Sequence, residues 1–233
     1  MDGRFEWSSA FAARPLAAKG FLVLQSPMLA DSTPQEGPRE MSRYHGAIDY
    51  LDSRGLIDRK KVGIVGFSRT VFEVGYALTH SKHRFAAASL VDGMDGGYFQ
   101  YIAFGPWDNA FVNGAAPFGN GLKLWFRNSP GFSLNRVNTP VRLLSLGPSS
   151  PLELWEWFSG LTQLNRPVDF VYLPNAPHLL VKPRERLTAE QDLVDWFCFW
   201  LKGEKNDNPG RVDNPGRVEQ YRRWQRLKSE AAH

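Results

Sequence analysis

Five short apolar runs punctuate this chain: FLVLQ (21–25), VGIVGF (62–67), FAAASLV (85–91), VRLLSL (141–146) and VDFVYL (168–173). Each is too short for a globular helix and is bounded by Gly, Pro or polar residues, the pattern of strands buried on both faces. Between them lie segments with helical spacing of apolar residues, at 8–19, 35–54, 70–81, 151–164 and 189–202. Strand alternating with helix requires parallel neighbours joined by crossovers, so the expectation is an α/β three-layer sandwich with a mainly parallel sheet of about five main strands.

Residues 93–138 break this alternation. They are rich in Gly, Asn, Phe and Tyr without a clear period, and read as a long excursion at the carboxyl edge of the sheet, where such folds place substrate contacts. After Gly203 the chain turns polar, and DNPGRV occurs twice in succession, at 207–212 and 213–218. Asn-Pro-Gly favours turns. The domain reading is therefore one α/β unit over 1–204, followed by a polar linker and basic tail over 205–233.

With 233 residues and 42% apolar content, the chain can bury a core without a metal or disulfide staple. Its single cysteine, Cys198, sits among bulky apolar residues in WFCFW and reads as a packing residue. The net charge of +4 is concentrated in the terminal YRRWQRLK, which reads as a solvated basic face, so no nucleic-acid partner is expected. No run approaches the roughly 18 apolar residues of a membrane span, and the first twenty residues lack a basic start followed by an apolar stretch. The expectation is no membrane partner and no export signal in this sequence.

The segment KKVGIVGFSRTVFEVGYALTHS, residues 60–81, carries the chemistry. It predicts a buried strand, a sharp turn at Ser68 and a helix. A serine on such a turn has its hydroxyl held above the sheet edge, over a helix N-terminus that favours developing negative charge. The backbone N–H of Arg69 would then be one oxyanion donor. Thr70 places a β-branched side chain where this turn ordinarily has glycine.

A serine nucleophile needs a base. His45 falls in a helix, His80 and His83 end the helix after Ser68, and His233 is terminal. His178, in YLPNAPHLLVKP, follows the last apolar run at the sheet edge where Ser68 would emerge. An acid must orient the imidazole. The loop after VRLLSL reads GPSSP and contains none, so Glu153, in the first turn of the next helix, is the first choice. Glu156 and, after the preceding strand, Asp92 and Asp95 stay open as alternatives.

These motifs resemble the catalytic domain of the prolyl oligopeptidase family of α/β-hydrolases, over roughly residues 5–205. The resemblance rests on VGIVGFSRT, NTPVRLL, LNRPVDFVYLPNAPH and DLVDWFCFWLKG. It implies a serine peptidase with Ser68 as nucleophile and His178 as base, acting on a peptide, with no metal or organic cofactor. The Glu153 assignment rests on position, since the family's aspartate loop has no counterpart after VRLLSL. The family's sheet also begins with strands for which nothing here reads, MDGRFEW resembling the tail of its oxyanion loop. A strand would be missing between FLVLQ and VGIVG, which implies an open edge and self-association through it. Two rival readings follow: a carboxylesterase, or a non-catalytic or truncated remnant acting as a binding module.

Overall fold

The computed structural model describes residues 12–27, 31–106, 108–205 and 215–230. Short helix α1 (Ala13–Ala18) and long helix α2 (Glu36–Ser53) precede β1 (Gly63–Phe67), α3 (Thr70–His80) and β2 (Ala87–Val91). The excursion contributes α4 (Tyr98–Phe104), α5 (Asn109–Asn113) and α6 (Leu122–Asn128). Then come β3 (Val141–Leu146), α7 (Ser150–Glu153), α8 (Trp155–Gln163), β4 (Val168–Leu173), α9 (Pro183–Lys202) and α10 (Pro215–Glu230).

The sheet is parallel, with four strands in the order β1-β2-β3-β4. This is the expected α/β architecture with one strand fewer. The missing one is FLVLQ: residues 21–27 form no strand and pair with nothing in the sheet, leaving Leu22 at 52% and Leu24 at 61% exposure. A strand exists only through its ladder, and here a groove separates these residues from β1.

Alternation along the strands sends side chains to two packed faces. Ala88 and Leu90 of β2 with Val141 and Leu143 of β3 join Val71 and Val74 of α3 and Trp157 and Leu161 of α8 in one core layer. On the other face Ala87 packs with α9 residues Leu193, Trp196 and Phe197 and with Tyr221 and Trp224 of α10. Buried Cys198 lies in the same layer, where burial pushes its thiol up to about 11.

The basic C-terminal segment is therefore not a solvated tail. Val218, Tyr221 and Trp224 recur at helical spacing and are buried. The polar face of α10 meets buried carboxylates: Trp224 Nε1 donates to Asp169 at 2.6 Å, Arg223 pairs with Asp169 at 2.6 Å, and Arg217 Nε donates to Asp195 at 2.9 Å. Part of the excess charge is thus compensated within the fold. The segment read as a basic tail is a helix that forms the outer layer of a core.

No helix among the described residues is long and apolar enough to cross a membrane.

Candidate active site

The site is assembled where three strands end. At the end of β1, Ser68 adopts φ +53°, a left-handed conformation that a non-glycine residue holds only when its surroundings impose it. Its N–H donates to Val91 C=O at 3.0 Å, anchoring the turn to β2. Gly66 is required just before it, since a Cβ there would lie 2.6 Å from Thr70 C=O.

Thr70 fits this turn for a local reason. Its Oγ1 accepts from Phe67 N–H at 2.8 Å and donates to Phe67 C=O at 2.8 Å. The hydroxyl thus closes the end of the strand where a glycine would leave those groups open.

His178, in the loop after β4, places Nε2 3.0 Å from Ser68 Oγ. Its ring stacks on Phe67, with centroids 4.7 Å apart and planes at 22°. The carboxylate on its other nitrogen is Asp92: Oδ2 lies 2.6 Å from Nδ1. Asp92 directly follows β2 and also holds positive φ, +43°. Its N–H donates to Leu144 C=O at 2.8 Å, and its Oδ1 accepts from Leu146 N–H at 2.9 Å. Both carboxylate oxygens are engaged, so the aspartate is held in one orientation. Gly93 permits the approach of this loop to the Ser68 turn, because a Cβ there would sit 2.0 Å from Ser68 C=O.

This geometry corrects the first choice of acid. Glu153 lies in α7, near enough for its charge to act on both Asp92 and His178, but it accepts no hydrogen bond among the described residues. Burial, with the Asp92 charge beside it, pushes its carboxyl up to about 7. Glu156 turns elsewhere, accepting from Phe99 N–H at 2.9 Å. Asp95 is buried and bonded to Gly97 N–H at 2.7 Å, and burial next to Glu156 raises its carboxyl. The hydrogen bond that Asp92 accepts from the imidazole raises His178 above its ordinary 6.5.

His233 lies outside the described residues, and the other described histidines are engaged elsewhere. His45 meets Ser81 Oγ at 2.6 Å, and His80 stacks on Tyr76.

The Arg69 N–H has no partner among the described residues. Its guanidinium is tied down: Nε and Nη2 donate to the two oxygens of buried Glu36 at 2.9 and 2.7 Å, and Nη1 pairs with Asp108. Glu36 in turn accepts from Ser32 N–H at 2.9 Å. This fork fixes the Ser68 turn to the start of α2 and to the excursion. MDGRFEW, expected to resemble an oxyanion loop, lies outside the described residues.

No family model matches the chain. Over 190 residues it is 30% identical to lasso peptide isopeptidase AtxE2 of Asticcacaulis excentricus, a match covering 78% of this chain and 26% of the relative. A solved structure of an AtxE2 isopeptidase variant with Astexin3-dC4 bound matches with a TM-score of 0.70 at 25% identity, covering 94% of this chain and 35% of that one. Pyrococcus horikoshii acylaminoacyl peptidase matches with a TM-score of 0.62. The chain matches a prolyl oligopeptidase-family catalytic domain. At 20% identity, over 82% of this chain and 31% of that one, the acylaminoacyl peptidase likeness speaks for the α/β-hydrolase fold alone. The chain thus spans about a quarter to a third of the length of these relatives.

Within this prolyl oligopeptidase-type domain, sequence reasoning kept Asp92 as an alternative but ranked it behind Glu153, whereas Asp92 is the carboxylate that meets His178. The signal was Asp-Gly directly after a fully apolar strand, where a carboxylate at the carboxyl edge is followed by the residue that lets it come close to Ser68.

Proposed function

We propose that this chain is a serine hydrolase that cleaves amide bonds of peptides. Ser68 Oγ attacks the carbonyl carbon as its proton passes to His178 Nε2. Asp92 holds the imidazole by Nδ1 and stabilises the imidazolium that forms, which then returns the proton to the leaving amine. The Arg69 N–H donates to the developing oxyanion from the N-terminus of α3. Water then attacks the acyl-enzyme, with His178 again as base, and releases Ser68.

The observation that carries this reading is the unbroken chain Ser68 Oγ to His178 Nε2 at 3.0 Å and His178 Nδ1 to Asp92 Oδ2 at 2.6 Å, built on two residues with positive φ. Such strained conformations persist where the surrounding structure imposes them, and they concentrate at catalytic turns. The likeness to AtxE2 makes the isopeptide linkage of a lasso peptide the first substrate class to assay.

The test is labelling with a fluorophosphonate followed by peptide mapping. The adduct is expected on Ser68, and Ser68→Ala is expected to abolish both labelling and amide cleavage. Labelling that survives Ser68→Ala would overturn the assignment.

A further inference from the structure

Four segments meet around one buried carboxylate. Glu36, the first residue of α2, has 0% exposure. Its Oε1 accepts from Arg69 Nε at 2.9 Å, and its Oε2 accepts from Arg69 Nη2 at 2.7 Å, Ser32 N–H at 2.9 Å and Asp31 N–H at 3.1 Å. Ser32 holds a left-handed φ of +53°. Its Oγ accepts from Arg69 Nη2 and donates to Asp108 Oδ1, both at 3.3 Å. Glu36 is itself fixed in place: its backbone N–H donates to Thr33 C=O at 3.0 Å, and a Cβ on the next residue, Gly37, would lie 2.5 Å from the Tyr76 ring. The start of α2 is therefore seated directly on α3.

Arg69 immediately follows Ser68, and its backbone is anchored on both sides. The Ser68 C=O accepts from Val71 N–H at 3.1 Å and the Arg69 C=O from Phe72 N–H at 3.2 Å, while the Arg69 N–H has no partner among the described residues. The side chain of the same residue ends in the Glu36 fork. Taking both charges of such a pair out of water is costly, and apolar replacements of buried pairs are often no less stable. Two parallel N–H bonds from one guanidinium supply something else, a fixed orientation.

We propose that Glu36 is a positioning residue for the reaction: through the Arg69 fork it holds the Arg69 N–H in the orientation that meets the oxyanion. This rests on the hydrolase reading above and goes beyond it, since Glu36 hydrogen-bonds neither Ser68 nor His178 among the described residues. A donor turned slightly away still tolerates the ground-state carbonyl but loses part of its bond to the developing anion. The effect therefore belongs to kcat and not to KM.

The experiment uses the full chain, with fluorophosphonate labelling of the parent as its first arm. A parent unlabelled at Ser68 would overturn the hydrolase reading itself, and this inference with it. With Ser68 labelled, Glu36→Gln, which keeps the shape of the side chain and removes its charge, is expected to lower kcat on a peptide amide about 10- to 100-fold with KM within about twofold. A peptide aldehyde, whose adduct with Ser68 carries the oxyanion, is expected to bind more weakly by the same factor. Arg69→Met keeps the backbone N–H and removes the fork, and should show the same split. Combining the two substitutions should add less than about twofold, because both break one linkage. The double variant leaves neither charge of the Glu36–Arg69 pair buried alone, so its kcat and aldehyde affinity keep the test decisive if Glu36→Gln fails to fold. Folded variants with unchanged kcat and aldehyde affinity would overturn the proposal. So would a rise in KM without loss of kcat, or losses that multiply in the double variant.

Discussion

Asp92 and His178 lie 86 residues apart in sequence and 2.6 Å apart in space, joined from Oδ2 to Nδ1. Because the other oxygen of Asp92 is held by Leu146 N–H, the carboxylate fixes the imidazole rather than following it. If Asp92 is the orienting acid, Asp92→Asn should keep the fold and lower kcat by roughly 10³- to 10⁴-fold, since an amide can hold the wrong tautomer. Glu153→Gln should lower it by less than about tenfold. Steady-state kinetics on a peptide amide, with circular dichroism as the fold control, checks both. The reverse ranking would return the role to Glu153.

The same pair sets a pH dependence. In the proposed mechanism His178 must be neutral to accept the Ser68 proton, and Asp92 raises it above its ordinary 6.5, with a smaller contribution from the Glu153 charge. Activity is therefore gained as pH rises through a value above 6.5, so the acid limb of kcat/KM should lie on the alkaline side of an ordinary histidine. Residual activity of Asp92→Asn should show that limb displaced to lower pH. Glu153→Gln should displace it the same way by less, because Glu153 itself ionises only near 7. A limb that does not move in Asp92→Asn would contradict this.

Thr70 gives a prediction about stability. Its hydroxyl satisfies both backbone groups of Phe67 at the end of β1, and Thr70→Val keeps the shape while removing both bonds. The loss should be on the order of 1–3 kcal/mol in urea unfolding. Thr70→Ser, which keeps the hydroxyl, should lose less than Thr70→Val. Equal losses in the two variants would show that packing, and not the hydroxyl, matters at this position.

These cases show which parts of the molecule could be read from the sequence. The strand-turn-helix around Ser68 is local, written in VGIVG and the apolar spacing after it, and the loop position of His178 follows from the run VDFVYL before it. Three features depend on distant partners. Residues 21–25 have the composition of a strand, but a strand needs a neighbour, and the groove beside β1 supplies none. Asp92 acquires its place from being at the end of β2, between β1 and β3, so that its side chain can reach both Leu146 and His178. Searching after VRLLSL looked one strand too far. The docking of α10 depends on the carboxylates of Asp169 and Asp195, which in sequence are unremarkable charges on other elements.

Glu73 carries the last prediction. It lies on α3 with 2% exposure, its Oε2 accepts from Tyr44 Oη at 3.2 Å, and its Oε1 has no partner among the described residues. Burial, reinforced by the nearby Glu40 charge, pushes its carboxyl from 4.5 up to about 7. In the unfolded chain this group ionises near 4.5, whereas in the folded chain it stays protonated until about 7. The folded state therefore binds more protons across that window, and stability falls as pH rises through it. The contribution is fully present below 4.5 and lost once the pH has passed about 7. Glu73→Gln removes the titration while leaving an acceptor for Tyr44 Oη. The variant should match the parent in urea unfolding at pH 4 and exceed it at pH 8, by on the order of 3 kcal/mol. A difference that is the same at both pH values would show that Glu73 acts through shape alone, and a parent more stable than the variant at pH 8 would show that its ionised form is held by a partner.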